Sequence, residues 1–395
     1  MFSVAVGLAS SSLGQEVQSP TPSLSSGFSP RSTDAAVVSS ESLLKNLQLS
    51  FGLSASYDSN LFQGSGAPGD PEVGDYVLTP TANLEYLTRN RRFQLGASVD
   101  LSREFNIKED NLGTFNAGAE IFGGLKSRKV ILNARLGLRA QEGVNRFTDA
   151  ILEQRTSSIG VDGRYNLSPK TGIFGSIVYS DTQSDGGNSA DRDSLDLETS
   201  VLWRATPLLS VGLGVVYSQR DQEEGDSFEA IGPSLRFNYD LSSKVKLRSS
   251  FGIDFAEVGS EGSDTLTSWS LGLGYRANAF WGLDLSLLQD TRASVTRGGG
   301  FEELTTTQIS YTRRIRDFST RLSLGYEVRD QVIEEAGSLA IPDSDFFFAS
   351  LSVSTPILKK KANLTWSISY SDYDSDSELE TWDSIRTGLN LTYEF

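Results

Sequence analysis

The 395 residues contain no cysteine, no histidine and a single methionine. Without cysteine there are no disulfides, thiolate nucleophiles or zinc–thiolate centres. Without histidine, Ser-His-Asp hydrolysis is impossible, and the usual general base and commonest metal ligand are missing. Long apolar runs are lacking too. No stretch reaches the roughly 18 consecutive apolar residues of a membrane-spanning helix. Positive charge is scarce, with 35 Lys and Arg against 51 Asp and Glu for a net charge of −16, so no nucleic-acid partner is expected. Walker-type phosphate loops, HExxH helices and CxxC pairs do not occur. Asp372 to Glu378 alternates acids as a calcium loop does, but lacks glycine at its sixth position, and reads better as a solvated acidic loop. Neither catalysis nor a cofactor is expected.

What is present is alternation. Leu47, Leu49, Phe51, Leu53, Ala55 and Tyr57 interleave with Gln48, Ser50, Gly52, Ser54 and Ser56, a period of two without an error. Phe93 to Leu101, Val130 to Arg139, Val245 to Phe255 and Ala362 to Tyr370 repeat it. Such segments number about 18, with 16 as the fallback, an even count of strands as single-chain membrane barrels have. Links after every second strand are short and basic, carrying Arg89, Arg91, Arg92, Lys126, Arg128, Lys170, Lys244, Arg313, Arg314, Arg316, Lys359 and Lys360. The alternate links are longer and acidic, among them Glu223, Glu224 and Asp226, then Glu257, Glu261 and Asp264, then Asp372, Asp374, Asp376, Glu378 and Glu380. Aromatics form two belts. Tyr86, Tyr165, Trp203, Tyr239, Tyr275, Tyr311 and Tyr393 precede the short turns, and Tyr57, Phe105, Tyr179, Tyr217, Phe255, Tyr326 and Tyr370 stand toward the long loops. Short turns at one rim, long loops at the other and two aromatic girdles predict one all-β, transmembrane, antiparallel up-and-down β-barrel over residues 46–395, with periplasmic turns and extracellular loops.

The polar face cannot form a soluble core, so the apolar face must meet lipid and the polar face a wet lumen too wide for side chains to fill. Lumen charges on this reading include Glu85, Asp100, Glu104, Glu120, Asp162, Asp196, Glu198, Asp254, Asp284 and Glu327. The matching cations are Arg135, Arg139, Arg164, Arg236, Lys246, Arg248, Arg276, Arg321 and Arg386. They make either a transverse field across the lumen or salt bridges that brace the wall. Few aromatics point inward on this pattern, Phe122, Phe174 and Trp382 being the clearest. Pro80 and Pro233 interrupt strand patterns and each removes one ladder donor.

Residues 1–14 resemble the end of a secretory signal peptide without its basic start, and 15–45 form a Ser/Pro-rich leader expected to be flexible in the periplasm. The chain ends mid-strand on an aromatic. Leu389, Leu391, Tyr393 and Phe395 share one face and resemble the C-terminal signal read by the barrel-assembly machinery of bacterial outer membranes. Tyr57-Asp58-Ser59-Asn60-Leu61-Phe62 with Asp75-Tyr76, and hairpins such as Leu235 to Leu247, resemble the β-barrel porin-2 family of bacterial outer-membrane proteins over residues 47–395. That resemblance implies a porin-like barrel, sometimes associated with exopolysaccharide systems, and no catalytic residues. The expectation is an outer-membrane channel, embedded in outer-membrane lipid, passing small hydrophilic solutes by passive diffusion. The alternative is a barrel serving exopolysaccharide export or surface assembly through a periplasmic partner.

Overall fold

A computed structural model describes residues 46–61, 73–108, 113–144, 151–185, 191–222, 227–258, 262–293, 301–333, 343–375 and 381–395. The leader, the acids Glu223, Glu224, Asp226, Glu261, Asp376, Glu378 and Glu380, and the expected signal peptide lie outside these residues. The strands are β1 (Leu47–Asp58), β2 (Asp75–Arg89), β3 (Phe93–Arg103), β4 (Phe105–Asn106), β5 (Phe115–Lys126), β6 (Val130–Val144), β7 (Ile151–Asn166), β8 (Thr171–Asp185), β9 (Arg192–Arg204) and β10 (Leu209–Gln222). They continue as β11 (Phe228–Tyr239), β12 (Val245–Val258), β13 (Gly262–Asn278), β14 (Trp281–Ala293), β15 (Phe301–Ile315), β16 (Phe318–Ile333), β17 (Ser344–Ile357), β18 (Ala362–Ser375) and β19 (Trp382–Glu394).

Chain neighbours pair antiparallel, except that β3 skips β4 to pair with β5, and β1 also pairs with β19, so the sheet closes on itself. Strands β3 and β4 lie end to end on β2, separated by Glu104 alone, so the 19 strands make 18 staves. The expected barrel and stave number are both observed.

Period-two sequence becomes two faces. Phe51, Leu53, Ile121, Leu132, Ile177 and Leu213 lie on the exposed outer face, with 67 % of Leu213 accessible. Between them Ser176, Ser200, Ser310 and Ser323 point inward and are buried. Serine recurs there because the strands place hydroxyls directly opposite one another. Ser180 meets Ser194 at 2.7 Å, Ser250 meets Ser270 at 2.6 Å, and Ser310 meets Ser323 at 3.0 Å. Such cross-strand pairs stitch the inner face at a few tenths of a kcal/mol to about 1 kcal/mol each.

The short turns share one device. Asn90, Ser127, Ser168, Thr206, Ser242 and Asn278 occupy the same place in six successive turns. Each side-chain oxygen accepts the N–H three residues on, at 2.7–3.1 Å, locking a tight reversal. At the opposite rim the structure corrects the loop reading. Val258 pairs with Gly262 and Ala256 with Asp264, so Glu257 and Asp264 belong to strands rather than to a long loop. Backbone pairing continues beyond the point where side chains cease to alternate.

The closing seam is built by two segments singled out in the sequence. Asp58 accepts from the Ser384 hydroxyl at 2.6 Å, the Asn60 amide donates to the Asp383 carbonyl at 3.0 Å, and Ser59 N–H donates to the Ile385 carbonyl at 3.0 Å. At the other end of the seam, Phe395 N–H donates to the Leu49 carbonyl at 3.0 Å. The Phe395 ring sets its edge against Phe51 at 5.7 Å and Tyr393 at 4.6 Å. Deleting Phe395 removes a hydrogen bond of about 1 kcal/mol and aromatic contacts of about 0.5–1.5 kcal/mol from the closure. The amount of folded, heat-modifiable barrel is expected to fall, while conductance per folded molecule stays the same. Normal yield of the truncated chain, measured by gel mobility before and after boiling, would show that Phe395 plays no part in assembly.

Candidate functional site: the barrel lumen

Strand register sets the inferred lumen charges that lie within strands on the same face as Ser176, Ser200, Ser310 and Ser323, but their surroundings differ. Some brace the wall. Arg236 on β11 reaches across β10 to Glu198 on β9, and its guanidinium lies over the Phe174 ring of β8, 4.5 Å from the centroid. Asn133 donates to Asp162 at 2.8 Å, and Arg164 donates to Asn166 at 3.0 Å. Arg248 pairs with Asp240 at 2.7 Å and Arg276 with Asp284 at 2.9 Å, all four partly exposed. Arg386 reaches Glu104 at 3.4 Å and donates to Ser56 at 3.3 Å.

Others stand without an ion pair. Among the described residues, Glu85, Asp100, Glu120, Arg135, Arg139 and Arg321 make none, and Asp100, Glu120 and Arg139 are exposed. Register aligns Asp100 on β3 with Gly118 on β5 and Arg139 on β6. Acids on β2, β3 and β5 thus face the lumen beside a basic β6. Asp254 on β12 stands within electrostatic reach of Asp290 on β14.

Toward the long-loop rim the inner face changes character. Val77, Leu152, Phe228, Ala256, Leu266, Leu304, Tyr373 and Trp382 all point inward and are buried. Tyr373 stacks on Trp382 at 5.8 Å, and Phe346 joins them at 6.1 Å from Trp382. Phe348 lies flat over Gly325, where a Cβ would collide with its ring. The inward aromatics therefore exceed the three read from the sequence. Phe346 to Phe348 is a continuous aromatic run, in which alternation alone does not separate inner from outer rings. Inward charges near this rim were missed as well, among them Arg220, Asp290, Glu302 and Arg329. Arg220 on β10 and Asp290 on β14 lie near this rim, and Arg329 on β16 lies between Glu302 and Glu327, with 4 % of its side chain exposed. All four sit in segments that read as loop margins, where period two had faded.

Outside, the two aromatic belts are present as expected. Tyr275 packs on Trp281 at 5.3 Å and Trp281 on Tyr311 at 6.1 Å near the short turns, while Tyr57 meets Tyr76 at 5.1 Å and Phe347 meets Tyr370 at 6.3 Å near the long-loop rim. Beyond the second belt, acids line up across strands, with Asp181 opposite Asp193, Asp193 opposite Asp221, and Asp372 opposite Asp383. Burial first, and then Asp383 and Asp374, raise the Asp372 carboxyl above its ordinary range. Asp193 is raised in the same way, by burial and then by Asp181. The rim is therefore a concentrated negative field.

An edgeless barrel with an apolar exterior, two aromatic girdles and charges inside leaves one architecture. This is an outer-membrane-type β-barrel. No protein-family model and no curated protein sequence matches the chain. Solved structures similar to it include OccAB4 of Acinetobacter baumannii, 12 % identical with a TM-score of 0.45, over 89 % of this chain and 98 % of that one. The siderophore receptor PirA of Pseudomonas aeruginosa is 8 % identical at a TM-score of 0.45, over 93 % and 81 % of the two chains. The FrpB iron transporter of Neisseria meningitidis is 7 % identical at 0.47, over 90 % and 84 %.

Proposed function

We propose that the protein is a channel of the bacterial outer membrane through which small hydrophilic solutes diffuse passively. The observation that carries this reading is the set of inner charges that make no ion pair among the described residues, Glu85, Asp100, Glu120, Arg135, Arg139 and Arg321. An uncompensated charge held in a dry interior costs several kcal/mol, so these groups need water beside them. A wet lumen open to both sides conducts without further chemistry. The porin-2-like hairpins and the Tyr57 to Asn60 segment agree with this reading.

Selectivity follows from where charge is balanced and where it is not. Both signs line the wall, whereas the long-loop rim is acidic. The rim field is felt at about 10 Å in 0.1 M salt and only about 3 Å at 1 M. Reversal potentials in asymmetric salt are expected to show a slight preference for cations in dilute solution that fades in concentrated solution. Strong anion selectivity at either strength would place Arg135, Arg139 and Arg321 at the narrowest point and refute the weakly selective channel described here.

A further inference from the structure

The wall is not evenly curved. Strands β10 and β14 are four strand spacings apart in the sheet, about 19 Å of wall, and in a round barrel of 18 staves they would stand only slightly closer than that. Instead their Cα atoms come within 8 Å of one another. The wall between them, β11 to β13, is folded into a narrow lobe. Arg220 of β10 lies inside it, 7 % exposed, 3.3 Å from Asp196 and attracted by Asp290 of β14, with its guanidinium beside the Phe228 ring.

Backbone features mark the same bend. The β11–β12 ladder breaks at Gly232 and Pro233, and a Cβ on Gly232 would strike the Ile253 carbonyl. The other interrupted ladder containing a proline is on β2. There Thr79 and Pro80 lack partners opposite the Arg103–Glu104 break between β3 and β4. β2 and β12 stand nine strand spacings apart in either direction around the ring. The second end carries its own ion pair, Arg386 of β19 with Glu104, which spans β1 and β2.

We infer that the long-loop mouth is flattened, with sharp ends at β2 and β12, where Arg386 pairs with Glu104 and Arg220 of β10 faces β14, so that solutes pass through a central slot whose width these contacts set. The inference rests on the channel reading for its effect on transport, though not for its geometry. A slot admits small or extended solutes and holds back compact bulky ones. Arg220, Asp290 and Arg386 are on this account specificity-determining residues.

The native chain has no cysteine, so introduced thiols report without background. Ser218→Cys on β10 and Leu288→Cys on β14 are the inner positions one step below Arg220 and Asp290. In the purified, folded barrel a short bifunctional thiol reagent is expected to bridge them. Failure to bridge overturns the flattening, whatever the conductance. Arg220→Gln, Asp290→Asn and Arg386→Gln, each verified as folded by heat-modifiability, are expected to raise single-channel conductance by about twofold as the slot opens. Should Arg220→Gln not fold, Asp290→Asn reads the same latch. Bridging without any change of conductance in these variants overturns the control of slot width. A native barrel that bridges yet does not conduct removes the channel reading and leaves the flattened mouth standing.

Discussion

Replacing Arg329 by methionine is expected to destabilise the barrel by about 3–5 kcal/mol, the cost of leaving buried charge without its counter-charge. Arg329 donates from Nη2 and Nε to one Glu327 oxygen, at 2.7 and 2.8 Å, and its Nη1 stands 3.5 Å from Glu302. All three side chains are at most 6 % exposed. Methionine preserves much of the packing volume, so the loss would be electrostatic. Adding Glu302→Gln and Glu327→Gln to Arg329→Met removes the uncompensated charge and is expected to restore most of the stability. Urea unfolding in detergent or lipid, followed by tryptophan fluorescence, measures both. A loss below about 1 kcal/mol in the single variant would mean that water reaches the cluster, as at exposed ion pairs.

The second large effect tests the two faces directly. Leu132 on β6 points outward, 42 % exposed, opposite Leu125 on β5 and Gly163 on β7. Arginine at this lipid-facing position is expected to cost about 2–4 kcal/mol if it lies near the bilayer midplane. One residue on, Asn133 faces the lumen and donates to Asp162. Arginine there gains a carboxylate partner and is expected to be tolerated. Equal costs at the two neighbouring positions would show that the faces are wrongly assigned.

Much of this architecture was legible before the structure, for a physical reason. Lipid outside and water inside impose a period of two on every stave, so Leu47 to Tyr57 or Ala362 to Tyr370 reveals strand and orientation together. Turn positions were readable too, because every second link is short and basic, whereas the side-chain acceptors Asn90, Ser127 and Ser168 emerged only with the structure. Legibility ended where the constraint ended. Past the second aromatic belt no lipid demands an apolar outer face, and the strands continue through Glu257 or Asp264 by backbone pairing alone. The same margin hid Arg220, Asp290, Glu302 and Arg329. Flattening was invisible too. Pro80 and Pro233 announced two ladder defects, but only the closed ring places them at opposite ends.

Phe395 illustrates a different limit. Its place on the outward row with Leu389, Leu391 and Tyr393 was plain from alternation. That its N–H closes onto Leu49 depends on the β1–β19 register, with Phe51 opposite Tyr393. Register between strands more than 300 residues apart cannot be read from either strand alone, because every shift by two residues keeps the same faces together.

The central claim is that the lumen holds a continuous path of water, and single-channel recording in a planar lipid bilayer tests it most directly. Purified barrel, shown by heat-modifiable mobility to be folded, is predicted to insert with discrete, stepwise and voltage-independent increments of conductance that scale with salt concentration. Folded barrel that inserts without any step of conductance would contradict the account.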